Sequence, residues 1–456
     1  MHAERPVLDV IGIGFGPANI ALAIAMEESG FRPSTLFLEA RASAAWQPGM
    51  LFGGSDIQNH PLRDLVTPRN PRSRYSFTNF LFEHGRLFEH LNLGLAFPMR
   101  LEYAQYVAWA ASHFGGQVLY DRAVTGLRLV RDPLHGLLHE VSCAGGETFA
   151  ARCVVAAPGR TPYVPDVLAA LDSPAVVHLG GFLDALARLR ERSRDGAGLR
   201  IAVVGGSQSA VEILLHLGDE LPQAELVGIT RRFGYRLKDT SPFTGEVYFP
   251  DFVDAFFAAE PGRKAQLRRD LHLTNYGAAD ADVLDRLYQR LYMQRIAGAQ
   301  RVSVWRSAEI VGAHTRGTRV RLDTHRHERA TPAGAAEFDL VIAATGFRDI
   351  GPAAHQERVP ALLAGLRETL ALDAAGCLAI EHDYTVRRTP QPGLPPLILN
   401  GLCESSHGMG DAGSFSLLAL RAQAIVDNLE RRLAAAPVAE HAAHAAGVAP
   451  AALAVL

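Results

Sequence analysis

The chain has 456 residues, of which 48% are hydrophobic, and a formal net charge of −3. That length holds two or three domains with a large core, and the near-neutral charge offers no basic surface for nucleic acid. No apolar run is long enough to span a bilayer. No signal peptide is expected ahead of the first strand, and the scattered Cys143, Cys153, Cys377 and Cys403 contain no C-x-x-C. A membrane anchor, a disulfide framework and a zinc site are therefore not expected, and the reducing cytoplasm is the expected compartment.

Val7–Ile13 reads as a short buried strand. Gly12, Gly14 and Gly16 then form a turn of little side-chain bulk, and Pro17 opens a helix that carries Asn19. A strand, a glycine turn and a helix N-terminus together present bare amides to a pyrophosphate. Pro17 stands where the usual fingerprint has its third glycine. The strand Thr35–Glu39 ends on an acid twenty-five residues after Gly14, about where a carboxylate holds an adenosine ribose.

Trp46–Ala111 is polar and aromatic, with a loop at Trp46–Met50 and a cluster of Gln58, His60, Arg63 and Asp64. Helical spacing appears at Tyr75–His84 and Tyr103–Trp109. This insertion is a natural wall for a cofactor and substrate. Gly116–Val141 alternates as an antiparallel meander would, and Ala151–Gly159 is a buried strand ending in a tight turn. Ser193–Gly198 reads as a linker.

The opening pattern then recurs. Leu199–Val204 is a strand, Gly205–Ala210 a turn with Ser207 at its second key position, and Val211–Leu217 a helix. The next strand ends in Arg231-Arg232 instead of an acid, which suits the 2′-phosphate of NADPH. A turn-rich loop covers Arg236–Pro250, Ala281–Ile296 is an amphipathic helix, and Val302–Leu322 reads as strands. Phe338–Phe347 and Leu397–Gly401 are buried strands. A Gly/Ser-rich loop around His407 follows, then a closing helix at Leu417–Leu429 and an Ala-rich, frayed tail from Ala434.

Two dinucleotide folds in one chain imply a tight flavin and a diffusible nicotinamide. The absence of a redox cysteine pair excludes a disulfide reductase, leaving a flavin reductase or a monooxygenase. The motifs G-I-G-F-G-P-A-N (12–19), W-Q-P-G-M (46–50), Q-N-H-P-L-R-D-L-V-T-P-R-N-P-R-S (58–73), G-G-S-Q-S-A (205–210), D-T-S-P-F-T-G-E-V (239–247), N-Y (275–276), A-T-G-F (344–347) and H-G-M-G-D (407–411) carry a resemblance. From about Val7 to Leu429 the chain resembles the flavin-dependent N-hydroxylating monooxygenases, such as the ornithine and lysine N-monooxygenases of siderophore biosynthesis.

The resemblance implies an α/β fold of two Rossmann-like domains, for FAD and NADPH, with a small helical substrate region. The FAD domain would take 1–170 and 335–433, with the NADPH domain inserted at 171–334 and a tail at 434–456. It implies that NADPH reduces FAD and that a C4a-hydroperoxyflavin hydroxylates the neutral primary amine of an amino acid with O2. No catalytic side chain is expected, because flavin supplies the reactive oxygen. Gly12, Gly14, Gly16, Pro17, Asn19, Glu39, Trp46, Met50 and Gln58 match flavin-site positions. Gly205, Ser207, Gln208, Ser209 and Arg231 match the NADPH site, and Asn275 matches an asparagine that holds the substrate backbone. The family often forms tetramers, so a homo-oligomer, dimer or tetramer, is expected.

Two positions depart from the ornithine enzymes: Arg63 replaces a lysine that meets the substrate carboxylate, and Gly245 replaces an asparagine. Lys238 and His60 could add positive charge near the pocket. The substrate is then either ornithine or lysine, or another amine such as aspartate, whose two carboxylates want two cations. An uncoupled NADPH oxidase or flavin reductase is the contrasting expectation. His407 reads as structural rather than as a proton donor.

Overall fold

The computed structural model describes residues 6–194, 196, 198–326 and 334–435. The strand Val7–Ile13 lies centrally in a seven-stranded sheet. It pairs in parallel with Thr35–Leu38 (Val10 opposite Thr35) and with Thr148–Ala156 (Ile11 opposite Val154). Central parallel strands are covered on both faces and so read as apolar runs; Val10, Ile11, Val154 and Val155 are fully buried here. Val118–Leu119 extends the sheet beyond Thr35–Leu38, while Leu397–Leu399 adds in parallel beside Thr148–Ala156. The antiparallel meander expected over Gly116–Val141 starts only at Val124 and joins Val124–Asp132, Gly136–Cys143 and Thr148–Ala156, because Val118–Leu119 pairs in parallel with Thr35–Leu38. The helix Pro17–Ser29 packs against the closing helix Leu418–Ala435.

A second sheet is wholly parallel, in the order Val302–Trp305, Glu225–Ile229, Arg200–Val204, Leu340–Ala343, Val176–His178. A third, antiparallel sheet joins Ala308–Arg316, Arg319–Arg326 and Gly334–Phe338. The boundary expected at 334/335 therefore moves. Gly334–Phe338 completes the third sheet, and Leu340–Ala343 fills the second between Arg200–Val204 and Val176–His178, so the chain rejoins the first sheet only beyond Ala343.

The loop around His407 also differs from expectation, because it contains two short helical turns, Glu404–His407 and Met409–Ala412. Gly408, at φ +92, separates them. Gly410 lets the second turn press on the carbonyl of Val247, since a Cβ there would stand 2.1 Å from that oxygen. The side chain of His407 is fully buried and stacks on Tyr384 with centroids 4.4 Å apart, with Nε2 bonded to the His382 carbonyl.

The Ser193–Gly198 linker begins as the end of helix Phe182–Arg194; Asp195 and Ala197 lie outside the described residues, as does the tail from 436. Among the described residues no helix is long and apolar enough to cross a membrane, and all four cysteines are buried and free.

Candidate functional site

The first cradle is built by close approach. Gly14 takes φ +80, and a Cβ there would stand 2.4 Å from the Ala157 carbonyl oxygen. A Cβ on Gly12 would strike the Phe37 ring at 2.2 Å, whereas one on Gly16 would meet nothing within 4 Å. Gly16 is the N-cap of the helix opened by Pro17 and offers no side-chain cap, so the first-turn amides are left for an anion. Glu39 closes the turn: its Oε2 accepts from the Phe15 amide at 2.7 Å and its Oε1 from the Arg41 amide. Asn19 is fully buried and spent on the same turn. Its amide nitrogen donates to the carbonyls of Ile13 and Gly14, and its oxygen accepts from Asn400. Asn19 thus shapes the cradle from beneath.

The second cradle repeats the device. A Cβ on Gly205 would stand 2.3 Å from the Ala344 carbonyl oxygen. Ser207 is the N-cap of helix Gln208–Glu220 and makes no side-chain cap bond, and Ser209 lies half-buried in the first turn. Gln208 turns inward; its oxygen accepts from the Asp280 amide at 2.8 Å and its nitrogen donates to Glu212. At the end of Glu225–Ile229, Arg231 is exposed in a basic cluster with Arg232 and Arg236. Arg232 lies 3.3 Å from His272, and burial, followed by Arg232 and Arg236, lowers the His272 pKa. Arg231 in turn helps, after burial, to depress His355. Crowded positive charge of this kind awaits a multivalent anion.

Between the cradles the two halves touch. Gly49, in the Trp46–Met50 loop, admits the Gly180 carbonyl to where its Cβ would be, 1.9 Å away. Met50 packs in the core of the second half beside Phe182, while Trp46 lies edge-on between Tyr103 and Phe415. Arg100 and Glu212 form a buried ion pair at 2.9 Å across the two halves. Gln58, held at φ +52, donates its side-chain amide to Asp280, which also lies 4.0 Å from Lys238 Nζ.

Of the expected substrate residues, the fold draws three together. Arg63 lies over the Tyr248 ring, 5.5 Å from its centroid. The Tyr248 hydroxyl donates to the Thr274 carbonyl at 3.2 Å, immediately before Asn275. Gly245 lies one turn upstream in the short helix Thr244–Tyr248, and a Cβ there would meet nothing within 4 Å. The Asn275 side chain is half-buried and makes no hydrogen bond to a described residue. The two further expected cations are already engaged. His60 is exposed, and its Nδ1 accepts from the Leu62 amide in a local turn. Lys238 is directed at Asp280.

Tyr248 and Asp280 organise this site yet carry no sequence signal of their own. Beside it lies another group that sequence reasoning missed. The Tyr276 hydroxyl donates to Glu404 and accepts from Arg160, near the buried Asp349.

The chain matches the family model for L-lysine 6-monooxygenase/L-ornithine 5-monooxygenase over residues 6–349. It is 35% identical to an L-ornithine N(5)-monooxygenase of Burkholderia cepacia, covering 89% of this chain and 90% of that one. It is 33% identical to the Pseudomonas aeruginosa L-ornithine N(5)-monooxygenase, covering 96% and 98%. In structure it resembles an ornithine N-hydroxylase of Kutzneria sp. 744, solved with reduced FAD, NADP+ and L-ornithine. That match has a TM-score of 0.84 at 35% identity, over 94% of this chain and 100% of the other. The L-lysine 6-monooxygenase of Pseudomonas syringae gives 0.79 at 34% identity, over 93% and 99%. With two Rossmann-like folds, a motif set in matching order and relatives aligned along almost the whole chain, this protein belongs to the L-lysine 6-monooxygenase/L-ornithine 5-monooxygenase family.

Proposed function

We propose that the chain hydroxylates the primary side-chain amine of an amino acid, L-ornithine first, with FAD, NADPH and O2, in the reducing cytoplasm and toward a siderophore or another N–O natural product. The observation that carries this reading is the meeting of Arg63 and the Thr274 carbonyl, one residue before Asn275, on Tyr248. An arginine for a carboxylate and a free carboxamide one residue beyond a pinned carbonyl together suit an amino-acid backbone.

The two cradles fit the two nucleotides. FAD would lie along Gly12–Pro17, with Glu39 fixing the turn and Trp46 and Gln58 bordering the ring. NADPH would lie on Gly205–Ser209, its 2′-phosphate toward Arg231. When bound, the reduced flavin supplies the electrons that activate O2. The protein's own residues orient and enclose. Arg63 takes the substrate carboxylate bidentately, Asn275 holds its backbone, and the Tyr248 ring keeps the Arg63 fork in place. With these groups anchored, the side-chain amine is directed by chain length, which favours one diamine over its homologues.

The aspartate reading loses support. It asked for a second cation beside Arg63, but Lys238 faces Asp280 and His60 is engaged in an exposed turn. The test is an assay on FAD-loaded protein. It follows NADPH consumption and N-oxidised product with L-ornithine, L-lysine, short diamines, aspartate and glutamate. Stoichiometric product with L-ornithine or L-lysine supports the reading. Product with acidic amino acids alone, or peroxide alone with every amine, overturns it.

A further inference from the structure

Four separated segments meet around Tyr276, the residue after Asn275. Arg160 follows the turn after Thr148–Ala156, and Asp349 follows the strand Leu340–Ala343. Tyr276 adjoins Asn275, and Glu404 opens the first short turn of the closing segment. The Tyr276 hydroxyl donates to Glu404 Oε2, while Arg160 donates to the phenol oxygen at 3.3 Å. Arg268 donates to the Ser405 carbonyl at 3.0 Å. Asp349 is buried, and its Oδ2 has no hydrogen-bond partner among the described residues.

We infer that Glu404 is a positioning residue whose ionised carboxylate, acting through Tyr276, biases the Asn275 side of the pocket toward cationic amines and against acidic amino acids. This inference rests on the proposed N-hydroxylation and names its substrate charge.

Charge balance within the group sets the bias. The groups facing Glu404 are Asp349, Tyr276, Arg160 and Arg268, and its field also reaches Tyr248, the ring beneath Arg63. With Glu404 and Asp349 both ionised, two carboxylates balance two guanidiniums. When Glu404 takes a proton the group carries a net positive charge beside Asn275. Ornithine and lysine bring two ammonium groups to one carboxylate, so they bind best to the balanced state, and aspartate binds worst to it. Burial, and then the neighbouring Asp349, push the Glu404 carboxyl up to about 7, against the opposing pull of Tyr276, Arg160 and Arg268. The balanced state therefore forms as pH rises through neutrality.

The test uses FAD-loaded wild type, Glu404→Gln and Tyr276→Phe. Two readouts are taken from about pH 6 to about pH 9: kcat/KM for hydroxylation of L-ornithine, and calorimetric Kd of L-ornithine for the oxidised enzyme. Wild type is expected to show affinity rising with pH through a limb near neutrality. Glu404→Gln should lose that limb and bind L-ornithine about tenfold more weakly at the upper end, with kcat within about twofold. Tyr276→Phe should keep the limb but move it to higher pH, because the phenol's hydrogen bond favours the ionised carboxylate. This second variant decides the matter if Glu404→Gln fails to fold. An unchanged limb in Glu404→Gln, or an unmoved one in Tyr276→Phe, overturns the inference alone. A wild type that hydroxylates no amine overturns it together with the proposed function.

Discussion

The ion pair between Arg100 and Glu212 joins the two halves of the molecule, and breaking it has a calculable cost. The Arg100 and Glu212 side chains are only 8% and 2% exposed. Arg100 donates to both Glu212 oxygens at 2.9 and 3.1 Å, and also to the carbonyls of Met50 and Asp56. Removing one member of such a pair leaves an uncompensated buried charge and costs about 3–5 kcal/mol, whereas replacing both with apolar side chains is often near neutral. Arg100→Met should therefore destabilise strongly, and Arg100→Met/Glu212→Met should recover about 1–3 kcal/mol of that loss. Burial already raises the Glu212 carboxyl pKa, with Arg100 opposing it. Without Arg100 the carboxyl rises further and escapes its penalty by taking a proton. A folded-state pKa raised above the unfolded one means stability is lost as pH rises, so the single variant should be hurt more at about pH 8 than at about pH 5.5. Urea unfolding of the three proteins at fixed FAD reads this out, because Trp46 and Trp305 report on different halves. A double variant no more stable than Arg100→Met, or a single-variant loss independent of pH, would refute the reasoning.

Three further outcomes follow from the site and the core. Arg63→Ala should raise KM for L-ornithine about 10- to 100-fold through loss of a charge-assisted contact, with FAD content unchanged; an unmoved KM removes Arg63 from the substrate site. Gly14→Ala, strained at φ +80 and driven against the Ala157 carbonyl, should weaken FAD retention by at least about tenfold, read from flavin absorbance after gel filtration. His139 is fully buried between the Pro395 and Pro396 carbonyls, and burial, then Arg388, lowers its pKa to about 4. Its stability contribution is whole above the unfolded value near 6.5 and is lost as pH falls toward 4, amounting to about 3 kcal/mol. The melting temperature of His139→Gln should fall less over that interval than that of wild type.

Features fixed by neighbours in sequence were legible. The Gly12–Pro17 turn and its echo at Gly205–Ser207 announce themselves because strand, turn and cap are contiguous. The apolar period of Ala281–Ile296 marks a helix with the same bounds as the one observed. Features fixed by distant partners were not. The runs at Ala151–Gly159 and Phe338–Phe347 look alike, yet the first strand pairs with Val7–Ile13 and the second with Arg200–Val204. An apolar strand says that it is buried, not in which sheet. The polar residues behave likewise. Asn19 and Gln208 sit in the nucleotide motifs, but their side chains brace the protein. Lys238 looked like a free cation until Asp280 folded against it. Tyr248 lies in a stretch readable only as turn-rich, and its role appears when Arg63 and Thr274 reach it from either side.

The central claim is that an amino acid anchored through its backbone by Arg63 and Asn275 receives an oxygen atom from O2 on its side-chain amine. The most direct measurement is turnover of L-ornithine by the FAD-loaded protein with NADPH under isotopically heavy O2, with products resolved by mass spectrometry. The account predicts one heavy oxygen on the side-chain nitrogen for each NADPH consumed. Heavy oxygen found only in peroxide, with L-ornithine unchanged, would contradict it.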